Sequence, residues 1–173
     1  MNKIIKITLV VFFILISNIV NAVIEPPFKN IIVSKQPIKH EDILFKDYDG
    51  NTVNLKDQKG QFYFLNFWAT WCLPCKEEMP YLDKLQNVNG IKIFPINIEK
   101  NREIETKIFF KSLEIKNLTT YFDIENNLVN LFRLRGLPTT IILNNDKKEI
   151  ARVLGTLDFS DQRFISWLNS VSN

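Results

Sequence analysis

Two cysteines three positions apart, in Trp71-Cys72-Leu73-Pro74-Cys75, are the residues of this chain best suited to chemistry. With two residues between them they can close on each other. They stand where an aromatic run, Phe62 to Trp68, gives way to a helical pattern. Sulfurs at a helix N-terminus meet unpaired backbone N–H groups and the positive end of the helix dipole, which favour a thiolate. The thiolate is the nucleophile of thiol-disulfide exchange. The placement therefore predicts a lowered pKa and the attacking role for Cys72, with Cys75, one turn further in and facing the sheet, resolving the mixed disulfide. A purely structural disulfide of this span constrains the unfolded chain little, because the loop it closes is so short. A closed zinc site needs about four ligands, whereas the chain has two thiols and one distant imidazole.

The elements around the pair must make one domain. At 173 residues, with 46% hydrophobic and 24% charged residues and only 5 Gly and 7 Pro, the chain is long enough for a single well-buried core and short for two. The formal charge is +3, and Lys3 and Lys6 account for two of those charges, which leaves residues 23–173 at +1. That is no basis for binding nucleic acid. A single histidine, His40, excludes His dyads, triads and His-rich metal sites within the chain, and no neighbour in sequence makes an acid-base group with it. No metal site is expected, and no cofactor beyond the cysteine pair.

Residues 1–22 have a basic start, an apolar run from Ile7 to Ile16 and a cleavage-like Val20-Asn21-Ala22, so they read as a signal peptide or, counted from Ile4 to Val20, as a membrane anchor. Either reading exports the rest of the chain to a compartment where disulfide chemistry is possible. Residues 23–40, with Pro26, Pro27 and Pro37, read as a linker, and residues 41–173 as the domain. Asp49-Gly50 between two short apolar runs predicts a hairpin. Phe62 to Trp68 predicts a strand buried on both faces, which calls for crossover helices. The apolar spacing of Cys75, Met79, Leu82 and Leu85 predicts the first. A strand over 91–98, a helix around 104–113, a short strand near 118–122 and a helix over 128–134 ended by Gly136 follow. A hairpin over 139–154 and a closing helix capped by Ser160 complete the order.

Asn66-Phe67-Trp68-Ala69-Thr70-Trp71-Cys72-Leu73-Pro74-Cys75-Lys76-Glu77-Glu78-Met79-Pro80, with Gly136-Leu137-Pro138-Thr139-Thr140 later, resembles the TlpA/ResA branch of exported thioredoxin-like proteins over roughly residues 43–167. The resemblance implies an α/β thioredoxin fold with an N-terminal β-hairpin and a central αβ insertion near residues 100–121. It also implies a cis Pro138 against the cysteine pair, with Leu137 offering its backbone to a substrate strand. The residues alone also fit a trans-proline turn. Thioredoxins proper carry a buried aspartate where Asn66 stands, and Asn66 cannot titrate. The branch instead has an acid three residues after the second cysteine, here Glu78, a candidate for exchanging a proton with Cys75. The alternative is that Glu77 and Glu78 are first-turn carboxylates pairing with the helix dipole in solvent. Trp71 offers an apolar rim to a partner.

The same resemblance implies a reductant of protein disulfides, with apocytochrome c or copper-site proteins of cytochrome oxidase as clients. It further implies a membrane electron donor and a location in the periplasm or on the inner membrane. Pro74 before the second cysteine agrees with the reducing direction, since strong oxidants have a His there. A general exported oxidoreductase is the nearest alternative. A Cu(I) metallochaperone is the alternative of a different class, thiolates being soft ligands.

Overall fold

The centre of the sheet explains most of the rest. The computed structural model describes residues 25–100 and 102–171, so the segment read as a signal peptide or anchor, 1–22, lies outside the described residues. Strand β4, Phe62–Trp68, is buried along its whole length. Because side chains alternate across a strand, Phe62, Phe64 and Trp68 pack into one core while Tyr63, Leu65 and Phe67 pack into a second core on the other face. Parallel pairing to β5, Ile91–Asn97, and antiparallel pairing to β7, Thr139–Leu143, flank it. The parallel pair requires a crossover, and helix α1, Leu73–Leu85, provides it.

The eight strands run β1-β8-β7-β4-β5-β6-β2-β3 across one sheet. On one side of β4, β7 turns back into β8, Lys148–Leu154. On the other, β6, Tyr121–Phe122, follows β5. The hairpin expected at Asp49-Gly50 is present as β2, Leu44–Lys46, and β3, Thr52–Asn54, joined to the sheet at Lys46 opposite Phe122. Gly50 takes φ 83° in its turn, a conformation that favours glycine. Helix α2, Glu103–Ser112, is the central insertion. Helix α3, Asn127–Leu131, covers the second core, and α4, Gln162–Ser170, packs Phe164, Trp167 and Leu168 into the first. Among the described residues no helix is long and apolar enough to cross a membrane.

Three expectations are corrected. The stretch read as a linker, 23–40, contains β1, Ile31–Lys39, paired antiparallel to β8 at the edge of the sheet. Pro37 and the scattered charges broke the period in sequence. An edge strand tolerates both, and the register shifts between Val33 and Ile38, the segment that holds the proline. Helix α3 stops before the expected end, with Arg133 at φ 50° in place of a glycine terminator. Asp161, not Ser160, caps α4, its carboxylate accepting from the Arg163 amide.

Polar clasps fasten the outlying pieces. His40 does have partners, 109 positions away: its Nε2 lies 2.7 Å from Oε2 of buried Glu149. Arg152 holds both oxygens of that carboxylate and reaches the Phe132 carbonyl at 3.1 Å, so the end of β1 is tied to β8 and α3. Asp83 on α1 does the same for the insertion, accepting from the amides of Lys116, Asn117 and Leu118 at 3.2, 2.7 and 3.1 Å. Replacing Asp83 by Ala strands these donors. We expect Asp83→Ala to lower unfolding free energy in urea by about 2 kcal/mol or more. A loss under about 0.5 kcal/mol would mean that water satisfies the loop equally well.

Candidate active site

The cysteine pair sits where β4 hands over to α1. Cys72 is the N-cap of the helix, and its sulfur accepts from the Cys75 amide at 3.3 Å. Pro74 falls in the first turn, where its missing N–H costs nothing. Cys72 and Cys75 form a disulfide, with a Cα separation of 5.3 Å. Cys75 is fully buried and Cys72 is 4% exposed. The flanking side chains face water: Trp71 is 70% exposed and Leu73 66%. Only a narrow strip of the bond is therefore open, bordered by two large apolar groups.

The loop entering the pair is held by the end of β5 and by the insertion. Glu99 accepts from the amide and the hydroxyl of Thr70. Asn97 accepts from the Glu99 amide at 2.7 Å and donates to Thr106 on α2 at 3.0 Å. Trp68, the last residue of β4, lies against Phe109 and Phe110 of the same helix, ring centroids 4.7 and 5.5 Å apart. Thus α2 braces the turn that carries Trp71 and Cys72.

Behind the pair lies a buried polar group of three. Strand parity puts Asn66 on the same face of β4 as Phe64 and Trp68, the face that α1 covers. Register puts Thr140 of β7 directly opposite Asn66. Glu78, three residues after Cys75, shares its helical face and is 1% exposed. The Asn66 Nδ2 donates to Glu78 Oε1 at 2.8 Å and to Thr140 Oγ1 at 2.9 Å. Asn66 Oδ1 and Glu78 Oε2 make no hydrogen bond. Burial pushes the Glu78 carboxyl up to about 8, against the opposing pull of the Asn66 N–H and the nearby Leu157 amide. Glu77, its neighbour, is exposed. The resemblance singled out Glu78 of these two carboxylates, and it is the one the structure buries.

The Leu137–Pro138 peptide is cis. Pro138 is buried, its carbonyl accepting from the Gly155 amide at 2.9 Å. Leu137 is half-buried and packs on both cores, including the one that contains Cys72 and Cys75. Among the described residues no three His, Cys, Asp or Glu side chains converge as a metal ion requires. Sequence reasoning set Asn66 aside because it does not titrate, and it passed over Thr140 and Glu99. The available signal was a lone amide in an aromatic strand, in phase with Phe64 and Trp68.

A family model described as Redoxin matches residues 26–161. A thiol-disulfide oxidoreductase ResA of Bacillus cereus is 33% identical over 112 residues, covering 63% of this chain and 64% of that protein. The protein of the same name from Bacillus subtilis is 33% identical over 119 residues, 67% and 65% of the two chains. The chain thus spans just under two thirds of the length of these relatives. In three dimensions it is similar to StoA from Bacillus subtilis, with a TM-score of 0.59 at 23% identity, covering 76% of this chain and 99% of that one. The fold is the thioredoxin fold, with β1 and the β2–β3 hairpin added at its edges.

A carboxyl whose pKa rises on folding binds a proton in the native state that it has lost in the unfolded state, between about pH 4.5 and 8. Its contribution to stability is thus fully present below pH 4.5 and declines as pH rises through that window. At pH 7 the loss amounts to roughly 3 kcal/mol at most. In urea unfolding of the oxidised protein, Glu78→Gln is expected to remove most of this decline and to be more stable than the parent at about pH 8. Parallel curves for the two proteins from about pH 5 to 8 would refute a carboxyl held neutral by burial.

Proposed function

This chain belongs to the Redoxin family, in its TlpA/ResA-like thioredoxin-fold branch, and from that premise we propose that it is a thiol-disulfide oxidoreductase acting on protein disulfides. The observation that carries the reading is a nearly buried Cys72–Cys75 bond at a helix N-terminus, open only between Trp71 and Leu73, with a carboxyl of raised pKa behind it.

The favoured direction is reduction of the client. In the reduced protein the Cys72 thiolate, stabilised by the α1 dipole and the Cys75 amide, attacks a client sulfur. The client disulfide breaks, one client thiolate leaves and takes a proton from water, and a mixed disulfide forms. Cys75 then passes its proton to the Glu78 carboxylate and attacks the Cys72 sulfur, which breaks the mixed disulfide and releases the second client thiolate. Two electrons have moved from the cysteine pair to the client. A carboxyl near 8 is close in pKa to an ordinary thiol, so the transfer is nearly level in either direction. When a donor thiol attacks Cys72 of the oxidised protein, Glu78 returns the proton to the departing Cys75 thiolate.

Trp71 supplies the apolar rim on which a client rests, and the Leu137 backbone beside cis Pro138 pairs with the client strand. The clients are exported proteins, with apocytochrome c or copper-site proteins of cytochrome oxidase as the leading classes. Electrons come from outside the chain, since it has a single cysteine pair, and a membrane donor is the source that the resemblance to the branch supports. Residues 1–22 deliver the domain to the periplasm, as a cleaved signal or as an inner-membrane anchor. Pro74 between the cysteines, in place of a charge-stabilising histidine, supports the reducing direction.

The test is the reduction potential of the pair in the full chain, equilibrated against thiol buffers, with Cys72→Ser and Cys75→Ser as controls. A value near about −270 mV is expected for an electron donor, and one near about −120 mV would make the protein an oxidant. Cys72→Ser is expected to abolish exchange with a small disulfide. Residual turnover above the uncatalysed rate would overturn the assignment of the nucleophile.

A further inference from the structure

The buried amide behind the disulfide has a property the proposed reaction does not yet use. One atom of the Asn66 side chain, Nδ2, sits between Glu78 and Thr140 and donates to both, while the other, Oδ1, faces no partner. That arrangement suits a charged Glu78, which can only accept. A protonated Glu78 has a hydrogen to give, and a side chain 1% exposed needs an acceptor for it close by. Turning the amide over by half a rotation about its last bond puts Oδ1 where Nδ2 was. The oxygen then accepts from Glu78 and from the Thr140 hydroxyl together. Thr140 allows both orientations because a hydroxyl accepts in one and donates in the other. An aspartate at position 66 could not serve in this way, having no N–H to offer. Turning carries the two Asn66 N–H groups to the side where Oδ1 has no partner, a cost set against the hydrogen bond that the protonated Glu78 gains.

We propose that Asn66, backed by Thr140, is a positioning residue that turns its amide over as Glu78 gains or loses its proton, holding the carboxyl in place in both states. The inference rests on the reading of Glu78 as the proton partner of Cys75. The proton is the one exchanged with Cys75, and no other reactant enters. Asn66 from β4 meets Glu78 directly, with Thr140 of β7 behind it, the Leu157 amide nearby and Cys75 three residues earlier on the same helix. Glu77, Tyr81 and Asp158 border the adjoining cavity of about 470 Å³, together with Thr156 and Leu157. Of the titrating side chains at that cavity, Glu78 is the one that is buried. A fixed donor would still reach the carbonyl oxygen of the neutral acid but would offer its hydroxyl no acceptor.

The experiment is a pH titration of the oxidised full chain followed by NMR at the Asn66 side-chain amide and the Glu78 carboxyl carbon. The Asn66 N–H signals are expected to change from hydrogen-bonded to free as pH falls through the Glu78 midpoint, with the two groups titrating together. An Asn66 amide that stays hydrogen-bonded throughout makes it a fixed donor and overturns the proposal. A second reading is kinetic, with a small dithiol reducing the disulfide across the same pH range. Thr140→Val is expected to slow reduction by about fivefold, and Thr140→Ser to restore it. Equal rates in the Val and Ser variants would count against the relay. Glu78→Gln separates the two levels. If it leaves the rate and its pH profile unchanged, the reading of Glu78 itself fails. If it alters them while the Asn66 amide does not turn, the present inference fails alone.

Discussion

A central strand covered on both faces admits only side chains that are apolar or fully paired. Strand β4 meets that condition at six of its seven positions with aromatic residues or leucine, and at the seventh with Asn66. The exception determines what lies around it. An amide buried there must find partners on the face that α1 covers, and the two within reach are Thr140 on the neighbouring strand and Glu78 on the helix. A carboxyl drawn into that position is desolvated, and this is what raises its pKa. The same helix begins at Cys72, so one element fixes both the sulfurs and the acid behind them.

The remaining parts of the molecule hold this arrangement still. On one flank Glu99, just after β5, grips the entry loop, and the insertion packs Phe109 and Phe110 against Trp68. Asp83 ties the return of the insertion to the back of α1. On the far edge, β1 extends the sheet beyond β8, and the His40–Glu149–Arg152 group closes it. These clasps join elements distant in sequence. Each is shielded enough from water for a charged hydrogen bond to matter more than it would on an open surface.

Much of the site was legible before the structure because its signals are local. Cys72 and Cys75 lie three apart at a strand-to-helix junction, and that junction is marked by a change of hydrophobic period. The hairpin at Asp49-Gly50 and the long buried strand are equally local patterns. What could not be read depends on long-range pairing. Edge strand β1 exists because β8 offers it a row of backbone partners, not because residues 31–39 alternate cleanly. The resemblance picked out Glu78 by its position after Cys75, but its burial beside Asn66 depends on how the helix packs on the sheet. His40 had no visible partner because Glu149 lies on a strand more than a hundred residues later.

Helix α2 illustrates how one element can answer to two masters. Its inner side is committed: Thr106, Phe109 and Phe110 touch the residues that carry the turn before Cys72. Its outer side, with Ile104 and Ile108 both largely exposed, faces away from the domain. Substitutions on the first side must be compatible with the turn that carries the cysteine pair, whereas those on the second are released from it. An insertion built this way leaves its outer surface free to change while its inner surface stays bound to the turn before the disulfide, so the two faces of a single helix answer to different constraints.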